Sequence, residues 1–408
     1  MKKIKRAIGG LIVITLISCQ SKESFLKDNF QFAEEQTQNM LNVMHDSVWY
    51  PRTSGADGKM IYTYADNWTD GFFPGVLWYL YENSQDSKWE NYARKWTNGL
   101  KAMQYITNNH DVGFLMYCSY GNGYRLTGDE TMKQVLIQSA NSLITRYNNN
   151  VRTIKSWDGR ASWDGKTYWD FPVIIDNMMN LELLYFASKV TGDSIYADIA
   201  TNHATTTMKY HFRDDYSTFH VVDYDTITGL PKNRQTCQGF SDNSTWARGQ
   251  AWAIYGFTMV YRETQDNRFL ETAEKAANYY LDSQSLPQDK IPYWDMNVNQ
   301  PGYIPDFCWN PNRFKKQPRD ASAAAVIASA LFELSNYSKN YERKFRQAAI
   351  EMVHTLASPE YRAPLGENNN FILMHSTGSL PHEVEIDVPL CYADYYFLEA
   401  LLRYKALQ

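Results

Sequence analysis

The sequence predicts an all-α fold, an (α/α)6 barrel or six-hairpin toroid, and three observations predict it. Apolar segments rich in small residues begin near Asp70, Asp111, Asp176, Ser244, Asp320 and Asp387. Their starts lie 41 to 76 residues apart, a period that suits a pair of helices rather than one. Amphipathic segments alternate with them, near 24–46, 88–103, 130–148, 194–212, 267–284 and 341–357.

Each element has its own signal. In the second outer segment Trp89, Tyr92, Ala93, Trp96, Leu100 and Met103 recur at helical spacing, with Lys88, Glu90, Arg94 and Lys95 on the other face. The inner segments, such as Asp320-Ala-Ser-Ala-Ala-Ala-Val-Ile-Ala, are apolar nearly all round and belong in the interior. Thr127-Gly-Asp129 and Thr191-Gly-Asp193 are short turns between antiparallel neighbours. The last apolar helix, 388–402, needs a partner. Closing it on the first pair buries it, whereas an open solenoid leaves it bare. The longer loops 157–169, 220–246 and 287–318 then gather at one end, where function usually sits.

The 408 residues carry a net charge of −5, which gives no basic footprint for nucleic acid. The 12 Trp and 30 Tyr exceed what a core needs and fit either a ring-lined sugar cleft or large helix interfaces. Residues 1–19 read as a lipoprotein signal peptide: Lys2, Lys3, Lys5 and Arg6 precede an apolar run at 11–17, and Leu16-Ile-Ser-Cys19 is similar to a bacterial lipobox. The run is too short to span a bilayer. A protein lipidated at Cys19 and held to the membrane in the periplasm follows, the outer membrane being favoured by Gln20. Residues 20–408 form one catalytic domain. The remaining cysteines, Cys118, Cys237, Cys308 and Cys391, show no metal or disulfide spacing and read as buried thiols.

The window Gln238-Gly-Phe-Ser-Asp-Asn-Ser-Thr-Trp-Ala-Arg-Gly-Gln-Ala-Trp252 supports two readings. In one, Trp246 and Trp252 cover a sugar ring while Arg248 grips a carboxylate through two parallel hydrogen bonds. In the other, the indoles are core aromatics and Arg248 pairs with an internal Asp or Glu. The inner-helix starts pose a similar choice, since Asp is a favoured N-cap. Asp111, after Asn108-Asn-His110, and Asp176, after Phe171-Pro-Val-Ile-Ile175, stand in apolar surroundings. Such surroundings raise a carboxyl pKa toward that of a proton donor. His220 lies in a short strand-like run, where a histidine is ordinarily a packing residue.

His110-Asp-Val-Gly-Phe114, Ile174-Ile-Asp-Asn-Met-Met-Asn180, the His220 strand, 238–252 and Asp387-Val-Pro-Leu-Cys-Tyr-Ala-Asp-Tyr-Tyr-Phe-Leu-Glu-Ala400 together resemble glycoside hydrolase family 88, the unsaturated glucuronyl hydrolases. The resemblance covers about residues 30–406 and implies an (α/α)6 barrel that needs no metal or organic cofactor. It implies removal of a 4,5-unsaturated uronic acid from oligosaccharides released by lyases, chiefly from glycosaminoglycans. An Asp protonates C4 of the vinyl ether, water adds at C5, and the product opens without attack at the anomeric carbon. Asp176 matches the acid and base, and Asp111 the second carboxylate. His220 and Gln238 match residues beside the water and the substrate carboxylate. Trp246, Arg248 and Trp252 match the sugar-gripping segment, Trp68 an early ring platform, and Ser376 and Ser379 the loop that meets the second sugar. No Arg or Lys lies in 375–379, so a sulfate clamp is not visible there, which favours hyaluronan or chondroitin products over heparin-type ones. The alternatives are a rhamnogalacturonyl hydrolase of similar chemistry and a lipid-anchored sugar binder without catalysis.

Overall fold

A computed structural model describes residues 21–45, 47–162 and 165–407. The expected export signal and Cys19 lie outside the described residues. In chain order the helices are α1 (Lys22–Met44), α2 (Phe72–Ser84), α3 (Ser87–Gly99), α4 (Val112–Met116), α5 (Asn122–Thr127), α6 (Glu130–Ile144), α7 (Leu181–Thr191), α8 (Ile195–Tyr210), α9 (Ala247–Thr264), α10 (Asn267–Asp282), α11 (Ala321–Ser335), α12 (Glu342–Leu356) and α13 (Cys391–Ala406). A π-turn at Tyr117–Gly121 joins α4 and α5 into one inner helix.

The inner ring is α2, α4–α5, α7, α9, α11 and α13, each next to the one before it, with the other helices outside. The ring closes where α13 meets α2: Tyr395 packs on Tyr79 at 4.8 Å and fills the space that Gly75 leaves. That contact settles the choice between a toroid and an open solenoid. On α3 the predicted face is the buried one, with Trp89, Ala93 and Trp96 fully enclosed. On α11 every residue from Ala321 to Phe332 is buried, as an all-round apolar helix requires.

The caps sit mainly on the outer ring. Asp86, Asp129 and Asp266 accept backbone N–H groups at the starts of α3, α6 and α10. Of the inner-helix aspartates, Asp320 alone caps its own helix through its side chain, accepting from Ser322 and Ala323. Asp70 binds the preceding turn through the N–H groups of Asp66 and Asn67. Asp387 corrects an expectation. It lies in the strand Val384–Val388, paired with His375 at 2.6 Å, and α13 begins later, at Cys391. Cys308 corrects another: it is exposed, while Cys118, Cys237 and Cys391 are buried.

Two small sheets frame one end of the barrel. Pro172–Ile174, Val221–Tyr224 and Pro231–Gln235 form a three-stranded antiparallel sheet in which Ile174 pairs with Val221 and Val221 with Gln235. Ser376–Ser379 and Val384–Val388 form an antiparallel hairpin. Among the described residues no helix is long and apolar enough to cross a membrane.

Candidate active site

Asp176 is placed by the three-stranded sheet. After Ile174 pairs with Val221, the Ile175 N–H donates to the His220 carbonyl at 3.0 Å, and the chain turns into a 3-10 segment, Ile175–Asn180. Asn180 then ties that segment to the start of α4. Its Oδ1 accepts from the Phe114 N–H at 2.8 Å, and its Nδ2 lies 3.3 Å from His110 Nδ1. Gly113 permits this approach, because a Cβ there would sit 2.5 Å from Asn180 Oδ1. Asp111 and Asp176, which come from different helix pairs, therefore face one cavity of about 120 Å³. Trp68, Phe114, Trp157, Ile174, Gln238 and Arg248 complete its wall.

Burial dominates the electrostatics. It pushes Asp176 up to about 7, with Asp111 adding to the rise and Arg248 and the Trp252 N–H opposing it. Burial also pushes Asp111 up to about 7 against the pull of Arg146. Burial thus favours the protonated form of both carboxyls well above the ordinary carboxylate range.

Two neutral histidines stand beside the pair. Burial, helped by Arg248, holds His220 well below its ordinary value, and burial brings His110 down to about 3. His220 Nδ1 accepts from the Cys237 and Gln238 N–H groups at 3.0 and 3.1 Å, so the ring proton must sit on Nε2, 3.6 Å from Asp176 Oδ2. The same logic applies to His110: Nδ1 accepts from Asn180, and Nε2 lies 3.5 Å from Asp111 Oδ1. Each carboxylate thus faces an N–H donor that cannot become a cation near neutral pH.

The window 238–252 divides its labour in an unexpected way. Arg248 lines the cavity, but its Nη1 donates to Asp320 at 2.7 Å and to the Thr377 carbonyl at 2.6 Å, while Nη2 donates to the Gly378 carbonyl at 2.5 Å. Its fork is already engaged by the protein, as the internal-pair reading expected. Trp246 is 3 % exposed and packs between His220 and Arg248, at 4.5 and 4.6 Å. Trp252 is 1 % exposed and lies against Phe114. Among the described residues neither indole lines the cleft, whereas Trp68, as expected, and Trp157 do. Trp246 acts from behind by packing against His220 and Arg248, and Trp252 by packing against Phe114.

A wider outer compartment of about 250 Å³ shares Trp68, Trp157, Gln238 and Arg248 with the inner one. Ser379 lines it and hydrogen-bonds His382 at 2.5 Å, and the Gln238 side chain donates to the Gly378 carbonyl at 3.2 Å. Ser376, expected in the loop that meets the second sugar, is fully buried and lines neither compartment; the register of its strand breaks between Ser376 and Thr377. Trp157, Phe114, His110 and Asn180 had no individual signal in the sequence beyond membership of a motif or a loop. Only His110, directly before Asp111, was open to inference from position.

A larger cavity of about 480 Å³ lies along the axis, beyond Phe114. Its cations are paired: Arg262 with Glu182, Glu263 and Glu333, Arg403 with Glu333, and Arg125 with Glu82. That network holds the far ends of the inner helices together. Among the described residues no group of three or more His, Cys, Asp or Glu side chains is placed to hold a metal ion.

The model of Glycosyl Hydrolase Family 88 matches residues 33–362, most of the chain and all of the acidic pair. The chain belongs to glycosyl hydrolase family 88. This family 88 chain is a glycosidase, and its similarity to individual members is close. It is 44 % identical to an unsaturated glucuronyl hydrolase of Formosa agariphila over 95 % of this chain and 92 % of that protein. It is 34 % identical to an unsaturated chondroitin disaccharide hydrolase of Streptococcus agalactiae over 89 % and 88 %. A crystal structure of an unsaturated glucuronyl hydrolase specific for heparin superposes with a TM-score of 0.85 at 45 % identity, over 94 % of this family 88 chain and 97 % of the other.

Proposed function

We propose that this family 88 enzyme releases 4,5-unsaturated glucuronic acid from the non-reducing end of glycosaminoglycan oligosaccharides made by lyases, with Asp176 as acid and then base. One observation carries the reading: Asp111 and Asp176 share a small cavity, both pushed up to about 7, beside histidines held neutral. Protonated Asp176 gives its proton to C4, and the π electrons of the C4=C5 bond form the new C–H bond. Positive charge then spreads over C5 and the ring oxygen. Water adds to C5 and returns a proton to the Asp176 carboxylate. The hemiketal opens to a C5 ketone, and the hemiacetal left at C1 collapses to an aldehyde, freeing the neighbouring sugar's hydroxyl. A carboxyl that titrates near neutral pH suits both proton steps.

The test is optical. The conjugated C=C absorbs ultraviolet light, so turnover of an unsaturated disaccharide bleaches the signal. Wild-type protein is expected to bleach it and Asp176→Asn is not; equal bleaching by both would remove Asp176 as the acid.

The location we propose, outside the cytoplasm on a lipid anchor, is supported by the basic start, the short apolar run and Leu16-Ile-Ser-Cys19. Cys19→Ser should then move the protein from the membrane to the soluble fraction.

A further inference from the structure

Three arginines line the outer compartment, and their charges are met in different ways. Arg52 is bonded to Glu385 at 2.5 Å and Arg248 to Asp320 at 2.7 Å. Arg160 has no carboxylate partner within salt-bridge distance among the described residues, and its side chain is exposed. The nearby Asp158 is engaged by Arg146 instead. Arg160 is nonetheless held in place. Its backbone pairs with Trp169 in a short hairpin, and its guanidinium lies over the Trp157 ring, 5.4 Å from the centroid. It faces His382, whose pKa burial and then Arg160 bring down to about 4, so the histidine adds no second positive charge.

We infer that Arg160 is a specificity-determining residue that binds a sulfate ester on the sugar next to the unsaturated ring. The inference rests on the proposed reading of the acidic cavity, since that cavity must hold the unsaturated ring for the outer compartment to receive its neighbour. Trp157 borders both compartments, so a cation stacked on it stands at the passage from one sugar to the next. A planar guanidinium with free N–H groups matches the oxygens of a sulfate, and Ser379 on the same compartment adds a neutral hydroxyl. The basic contact absent from 375–379 is thus supplied by a hairpin more than two hundred residues earlier.

The experiment compares kcat/KM on a sulfated and an unsulfated unsaturated disaccharide of the same linkage, for wild type, Arg160→Gln and Arg160→Lys. The sulfated-to-unsulfated ratio is expected to fall about 10- to 100-fold in Arg160→Gln, mainly through KM, and to recover in part in Arg160→Lys. The wild-type ratio should also fall with added salt more steeply than that of Arg160→Gln. An unchanged ratio in Arg160→Gln overturns the proposal, and so does a wild type that turns over unsulfated but not sulfated substrate. Failure of wild type to bleach either disaccharide would instead count against the hydrolase reading beneath it.

Discussion

His220 Nε2 lies 3.6 Å from Asp176 Oδ2, and the ring's other nitrogen is committed to the backbone of Cys237 and Gln238. The histidine is therefore a fixed neutral donor aimed at the acid. It favours the ionised carboxylate that forms once the proton has gone to C4. His220→Ala should lower turnover by roughly 10-fold, less than the loss of a full hydrogen bond to a charge, because at 3.6 Å the Nε2–H faces the carboxylate without bonding it. It should also move the alkaline limb of the pH profile upward, since removing a donor to the charged form raises the Asp176 pKa. A limb that moves down would contradict the tautomer assigned to His220.

Asp111 works on the same acid with the opposite sign. Its charge raises the Asp176 pKa, so Asp111→Asn should bring the alkaline limb to lower pH. Activity that requires a protonated Asp176 is present below about 7 and is lost as pH rises through that value. The variant should lose activity earlier on that rise. Stability follows the same sign: with the Asp111 pKa raised from 3.8 to about 7 on folding, the unfolded chain gives up its proton first, so stability falls as pH rises from 3.8 to about 7 and stays lowered above that. The unfolding temperature of Asp111→Asn should exceed that of wild type at pH 8 and match it at pH 4, as followed by thermal melts.

Arg248 and Asp320 are buried together, at 1 % and 0 % exposure. Arg248→Met leaves Asp320 unpaired and is expected to cost about 3–5 kcal/mol in chemical denaturation. Adding Asp320→Asn, which retains the cap on α11, should restore part of that loss. Equal stability of the single and double variants would show that the pair is not the anchor of the 376–379 strand.

Gly113 and Asn180 set the distance between the two acid-bearing segments. In Gly113→Ala the new Cβ meets Asn180 Cα at 2.6 Å as well as its side chain, so backbone has to move. Thermal unfolding should show a loss of about 1–3 kcal/mol, with turnover falling more than binding because the two carboxyls separate. A variant of full activity would show that this spacing is not what holds the pair.

Local pattern was enough for the architecture. Helical spacing of Trp89, Ala93 and Trp96 encodes which face is buried, and the repeat of apolar segments encodes how many pairs must share one core. The motifs around Asp111 and Asp176 were legible for the same reason, since each is a contiguous run. Chain order could not decide what meets what. Asp320 caps its helix while Asp111 and Asp176 make no side-chain cap, although all three precede apolar segments, because the choice depends on partners from other helix pairs. Trp246 and Trp252 turned inward and Trp157 outward by packing across the ring, and Arg160 reached the second compartment through a distant hairpin. The sequence by itself determined the barrel, because periodicity is local, and its contiguous motifs singled out Asp111 and Asp176 through the family resemblance, while capping chemistry left their role open. Tertiary structure alone decided which acid lies beside which histidine and which cations remain unpaired, because burial and charge pairing are set by residues far apart in the chain.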